Sequence, residues 1–163
     1  MIKAHSLEER APREVIERQA SLVRDSGSLN ALLDANPSIV LVLNQFRQVV
    51  YANQVLARFL KLDELGCVFG MRPGEVLNCV NSDLNPGGCG NSEFCKTCGA
   101  LNAILSSQEG NFDLQECCIT RKATGDALDL RVWATPNSIT GERFTISLPY
   151  LTRIITGDGP AFL

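Results

Sequence analysis

The stretch Ser38–Ile–Val–Leu–Val–Leu–Asn–Gln–Phe–Arg–Gln–Val–Val–Tyr–Ala–Asn53 decides the fold. Two runs of β-branched and aliphatic residues, Ser38–Leu43 and Gln48–Ala52, flank Asn44–Gln–Phe–Arg47. That pattern predicts an antiparallel hairpin closed by a four-residue turn. Gln54–Leu62 follows with Val55, Leu56, Phe59 and Leu60 at helical spacing, and Asn53 stands where it would cap that helix.

Toward the C-terminus, Asn111–Arg121, Ala127–Ala134 and Arg143–Leu148 read as three further strands. Turns at Lys122–Asp126 and Pro136–Gly141 separate them, and Arg121, Lys122 and Asp126 read as solvated turn charges. Phe112, Trp133 and Phe144 lie on these strands and are expected in the core, where they would also line any small cavity between sheet and helices. Toward the N-terminus, Leu7–Arg24 carries Leu7, Ala11, Val15, Leu22 and Val23 roughly on one stripe, with the well-formed helix starting near Pro12. That stripe either docks on its own domain or pairs with a second copy. Asp25–Ser–Gly–Ser28 breaks the helix, Ser28 caps a short one over Leu29–Ala35, and Pro37 stops it.

The 163 residues are 45% apolar and 20% charged, which suits one packed domain with a helical extension. A net charge of −3 gives no broad attraction for nucleic acid or anionic lipid, so neither is expected as a partner. The longest apolar run, Ile39–Leu43, is too short to cross a bilayer, and no apolar signal core follows Met1, so a cytoplasmic protein is expected. In that compartment an odd count of seven cysteines favours metal or redox chemistry over structural disulfides. The one histidine, His5, precedes the domain, which argues against a histidine-ligated haem and against Cys–His or Ser–His catalysis.

Ala35–Asn–Pro–Ser–Ile–Val–Leu–Val–Leu43 with Tyr51–Ala52–Asn53 and the helix after it resembles the opening of a PAS domain. Two strands, a helical middle and three strands reproduce the PAS order. The resemblance implies an α+β fold, a five-stranded antiparallel sheet with helices on one face, over residues 29–150. Residues 1–28 would then be a helical extension and 151–163 a tail. It also implies a non-catalytic sensory or signal-relay module, with a signalling protein such as a kinase as partner and a homodimer through the N-terminal helix. After Leu148 the chain has no coiled coil, phosphoacceptor histidine or nucleotide-binding loop, which reads as a free-standing sensor domain or a piece of a larger protein.

The departure lies in the middle. Cys79, Cys89, Cys95 and Cys98 are spaced C-x9-C-x5-C-x2-C, with Gly87, Gly88, Gly90 and Gly99 around them. Thiolates converging on one metal need a chain that folds back sharply, which glycine permits. Gly70–Met–Arg–Pro–Gly–Glu–Val–Leu77 ahead of this loop resembles a cysteine-rich PAS subgroup of bacterial sensor kinases. Ala100–Ser107 would be the longer helix after it. Four thiolates suit tetrahedral zinc, which the Cys95-x2-Cys98–Gly99 knuckle favours, and equally an iron–sulfur cluster. Two other classes stay open: a zinc-stapled interaction module without sensing, and a thiol–disulfide oxidoreductase using Cys95 and Cys98.

Cys117 and Cys118 are adjacent on a strand and so face opposite sides, as a simply buried thiol or with one of them near the metal loop as a spare ligand or resolving thiol; Cys67 reads as core filler. Asn78–Cys79 lies about as far past the Tyr–x–Asn step as the Asn–Cys step of flavin-binding LOV domains. The sequence after it, Val80–Asn–Ser–Asp83, departs from that pattern, so flavin photochemistry is set aside.

Overall fold

The computed structural model describes residues 6–157 and 159–162. His5 lies outside them. Strand β1 (Leu41–Leu43) and strand β2 (Val49–Ala52) form the expected hairpin, with Leu41 opposite Ala52. The Asn44 side chain closes its turn by accepting from the N–H groups of Phe46 and Gln48 at 2.9 and 3.0 Å. Strands β3 (Asp113–Thr120), β4 (Ala127–Ile139) and β5 (Glu142–Thr156) follow. The antiparallel sheet runs β2-β1-β5-β4-β3, and β6 (Gly159–Phe162) pairs with the far half of β5.

β4 and β5 are longer than their sequences suggest. β4 runs through Pro136 to Ile139, and the turn is only Thr140–Gly141, where Thr140 has φ +49°. This is the two-residue geometry that matches the twist of the paired strands. β5 continues past residue 150, so residues 151–156, expected as tail, belong to the sheet.

Helix α1 (Arg13–Arg24) and helix α2 (Ser28–Ala35) precede the sheet. The stripe of α1 is consumed by its own domain: Ile16 and Val23 pack with Val40, Val42, Val50 and Phe144 on one face of the sheet. Polar contacts fix this docking, because the buried Gln19 donates to Glu142 and accepts from Asn44, each at 3.0 Å.

The opposite face holds the main core. Helix α3 (Gln54–Leu60), helix α4 (Pro73–Val76) and helix α5 (Gly99–Gln108) cover it, together with 3-10 turns at Leu65–Val68, Val80–Asp83 and Glu93–Thr97. Leu41, Leu43, Leu56, Leu128 and Ala103 meet there. Asn53 precedes α3, yet its side chain makes no cap. It is fully buried and instead joins the end of α2 to the start of β1. It donates to the carbonyls of Leu33, Asn36 and Ser38 and accepts from the Val40 N–H. Tyr51 adds a hydrogen bond of 2.7 Å to Asp34.

Alternation on β3 places Cys117 and Ile119 inward and Cys118 outward. Phe144 is buried as expected, but against α1 and not in a cavity. Trp133 and Phe112 are not core: they lie exposed on the sheet's outer face with ring centroids 5.8 Å apart in an edge-on contact. Cys67 is exposed as well, its thiol donating to the Glu64 carbonyl, so it fills no core space. Asp126 in turn is buried, bound by Arg121 and Thr124. Among the described residues no helix is long and apolar enough to cross a membrane.

Candidate functional site

Between the sheet and α4–α5 lies a cavity of about 210 Å³. Its walls include Cys79, Cys89, Cys95 and Cys98, and also Cys117 on β3. The four thiols that spacing singled out thus come to one cavity, although they arrive from different local structures. Cys79 follows α4 and forms an isolated bridge with Arg121 at the β3–β4 turn. Cys95 is buried in the Glu93–Thr97 turn, 3.2 Å from the Ser92 hydroxyl. Cys98 immediately precedes α5. Among the described residues, no group of three or more His, Cys, Asp or Glu side chains has the arrangement of a metal site. The thiols ring the cavity without meeting at a point.

Two glycines set the spacing of this ring. A side chain at Gly74 in α4 would place its Cβ 2.6 Å from the Cys89 sulfur. At Gly99 the Cβ would stand 1.9 Å from the carbonyl oxygen of Glu116, so the start of α5 lies directly against the β3 backbone. No other residue permits that approach. As a result Cys98 and Cys117 are neighbours, with sulfurs 3.7 Å apart.

The thiols differ in acidity. Burial pushes Cys89 up to about 12, against the N–H of Gly74, and raises Cys79 against the N–H of Asn81. Cys98 is held down to about 6, first by the hydrogen bond from Cys117 and then, against burial, by the N–H groups of Leu101 and Ala100. Cys117, as the donor to Cys98 and itself buried, is raised.

The sequence reading missed the cationic side of the cavity. Arg72 is fully buried and donates to four backbone carbonyls: Glu9 at 2.7 Å, Gly87 at 2.9 Å, and Phe46 and Cys89 at 3.2 Å. It ties the N-terminal segment, the β1–β2 turn and the cysteine loop together. Arg47 is also buried and donates to the Leu7 carbonyl at 2.6 Å. Both guanidinium groups line the cavity. Burial, followed by repulsion from Arg47 and Arg10, lowers Arg72 to about 10. Burial likewise lowers Arg47, while the thiols of Cys89 and Cys95 work to raise it.

Glu75 answers this charge. Its carboxylate accepts from Arg10, from the Arg72 N–H at 2.9 Å and from the Cys89 N–H at 3.1 Å. Burial opposes its ionisation, but Arg10 and those two N–H groups outweigh it and hold the carboxyl below its usual range. One signal was legible beforehand: Arg72–Pro73–Gly–Glu75 pairs a proline at a helix start with an acid in its first turn.

The Cys95–Lys–Thr–Cys98 step departs from a thiol–disulfide oxidoreductase. Its first cysteine lies in a 3-10 turn, its second precedes the helix, and the sulfur contact of Cys98 is with Cys117.

No protein-family model matches the chain, and no curated protein does. Solved structures do. A PAS domain of an HTR-like protein from Haloarcula marismortui superposes with a TM-score of 0.50 at 18% identity, covering 82% of this chain and 97% of that one. The PAS domain of nitrogen regulation protein NR(II) from Vibrio parahaemolyticus gives 0.51 at 14% identity over 74% and 94%. A Rhodobacter sphaeroides LOV protein gives 0.52 at 14% identity over 82% and 66%. With the strand order β2-β1-β5-β4-β3 and the helices packed over one face, the fold of this chain is that of a PAS domain.

Proposed function

We propose that this chain is a non-catalytic, cytoplasmic sensory or signal-relay module whose sensing element is the cysteine-lined cavity. Cys79, Cys89, Cys95 and Cys98 would hold a metal there, zinc in the first place. The observation that carries this reading is the company those thiols keep. They line one cavity with two buried arginines, and Arg10 adds a third guanidinium nearby around the carboxylate of Glu75. Buried cations need anionic partners. A metal bound by four thiolates carries net negative charge and supplies them. Drawing the thiols onto one ion asks the loop to close over the cavity, and metal binding is the kind of free energy that orders such a loop.

The solved relatives include PAS domains of a two-component sensor histidine kinase and of a nitrogen regulation protein, which supports a signalling partner. A homodimer through α1 would use that helix's outward residues, since Ile16, Gln19, Ala20 and Val23 face the sheet. Light scattering on the intact chain decides that point.

The test is elemental analysis of protein purified without oxygen, together with a visible spectrum. One zinc per chain and no colour is the expected result. A brown sample absorbing broadly near ~400 nm makes the centre an iron–sulfur cluster. Absence of metal under these conditions overturns the site. Cys98→Ser is expected to lower metal content and Cys67→Ser, at an exposed position, to leave it unchanged. If zinc is bound but its removal changes no partner contact, the protein is a zinc-stapled interaction module without sensing.

A further inference from the structure

Cys117 was no part of the expected ligand set, yet its sulfur is in contact with that of Cys98 across 3.7 Å. The contact is built into the backbone. Gly99 lies flat against the Glu116 carbonyl, where any Cβ would clash at 1.9 Å, so residues 98 and 117 are held side by side by the start of α5 and by β3. Both thiols are free, and both line the cavity. Cys98 is only half-buried. A disulfide needs about 2.05 Å between sulfurs, so closing the pair shortens the present 3.7 Å contact. Cys118 also borders the cavity, but alternation on β3 turns its side chain to the exposed side of the strand, and Cys67 is on the exposed Leu65–Val68 turn.

We propose that Cys98 and Cys117 are a redox pair, closed to a disulfide by a hydroperoxide. The Cys98 thiolate attacks one oxygen of hydrogen peroxide, the O–O bond breaks, and Cys98 becomes a sulfenic acid while the other oxygen leaves as hydroxide, which takes up the proton released when the thiolate formed and becomes water. The Cys117 sulfur then attacks the Cys98 sulfur, the S–O bond breaks, and a second water leaves with the Cys117 proton. Two thiols lose two electrons in all, and hydrogen peroxide is reduced to two waters. The bond staples the start of α5 to β3. Where Cys98 is also a metal ligand, as the proposed function has it, the disulfide and the metal exclude each other, because one sulfur cannot serve both.

The test uses the intact chain, reduced, stripped of metal and treated with hydrogen peroxide. Free thiols are expected to fall from seven to five, and peptide mapping should join Cys98 to Cys117. A reducing dithiol reverses the change. Cys117→Ser should leave Cys98 as a sulfenic acid that dimedone traps, while Cys118→Ser oxidises like the parent. Joining of Cys98 to Cys95, Cys79 or Cys89 in the parent, or a Cys117 that stays free, overturns the proposal. A second arm adds zinc before peroxide. Protection of the pair by about tenfold or more is expected, as thiolate availability sets the rate. Equal rates overturn the exclusion by metal. The first arm is read without metal, so its result for the disulfide stands even for a chain that binds no zinc.

Discussion

The sheet and the cysteine loop touch at Gly99 and Glu116, but different forces hold them. In the sheet, Leu41, Leu43, Val49 and Leu128 are fully buried, and each such side chain contributes about 2 kcal/mol of apolar burial. The loop from Val80 to Cys98 has little of this: Leu84 and Phe94 are 59% and 66% exposed. Polar contacts from outside fix it instead. Arg72 holds the Gly87 and Cys89 carbonyls, Glu75 holds the Cys89 N–H, and Lys122 pairs with Asp83. A region held by apolar area unfolds with the rest of its core. One held by a few ionic and hydrogen-bonded links loosens by itself when a link is cut.

The strongest way to break this contrast is at the seam. Gly99→Ala forces a Cβ onto the Glu116 carbonyl, and since both sides are backbone neither yields easily. A loss of about 3 kcal/mol in urea unfolding is expected, with the whole domain melting together. A neutral outcome would show that α5 is not pinned to β3. Next in size, Arg72→Met removes the donors to four carbonyls and is expected to cost about 2 kcal/mol. Hydrogen exchange should find the loss concentrated in residues 79–98, with Cys89 more open to thiol reagents and amides of β4 nearly unchanged. Equal loss in β4 would erase the distinction between the regions.

The smallest expected effect lies on the sheet side, at Asp126. Arg121, and then Thr124, hold Asp126 down to about 2 against its burial. Its carboxyl is therefore below its unfolded value of roughly 4, and the stability it adds is present above about pH 4 and lost as pH falls through about 2. About 1 kcal/mol should disappear over that window, and Asp126→Asn should flatten this part of the profile. An unchanged slope in the variant would mean that the Arg121 pair contributes nothing.

Local pattern carried much of this protein. Continuous apolar runs in Ser38–Leu43 and Gln48–Ala52 mark strands buried on both faces, the inward–outward alternation at the end of Asp113–Thr120 marks one buried on a single face, and the order of elements then leads to the PAS arrangement. Cysteine spacing picked out four residues that do line one cavity. The ends of β4 and β5 were less legible: Pro136 read as the start of a turn although it lies within β4, and the run Arg143–Leu148 covers only part of β5. Asn53 read as a cap because caps are local, whereas its actual partners lie thirteen to twenty residues upstream.

Local pattern misplaced Phe112 and Trp133, expected in the core yet exposed, but it did set Cys117 and Cys118 on opposite faces of a strand and group Cys79, Cys89, Cys95 and Cys98 in one loop. Only the tertiary structure decided that Cys117 joins them, that Arg47 and Arg72 charge the cavity wall, and that α1 spends its apolar stripe on its own sheet. The physical reason is range. Periodicity within one element follows from its own backbone geometry. The contacts of Arg72 with Glu9 and of Cys98 with Cys117 join segments 63 and 19 residues apart, and only packing of the whole core brings such segments together.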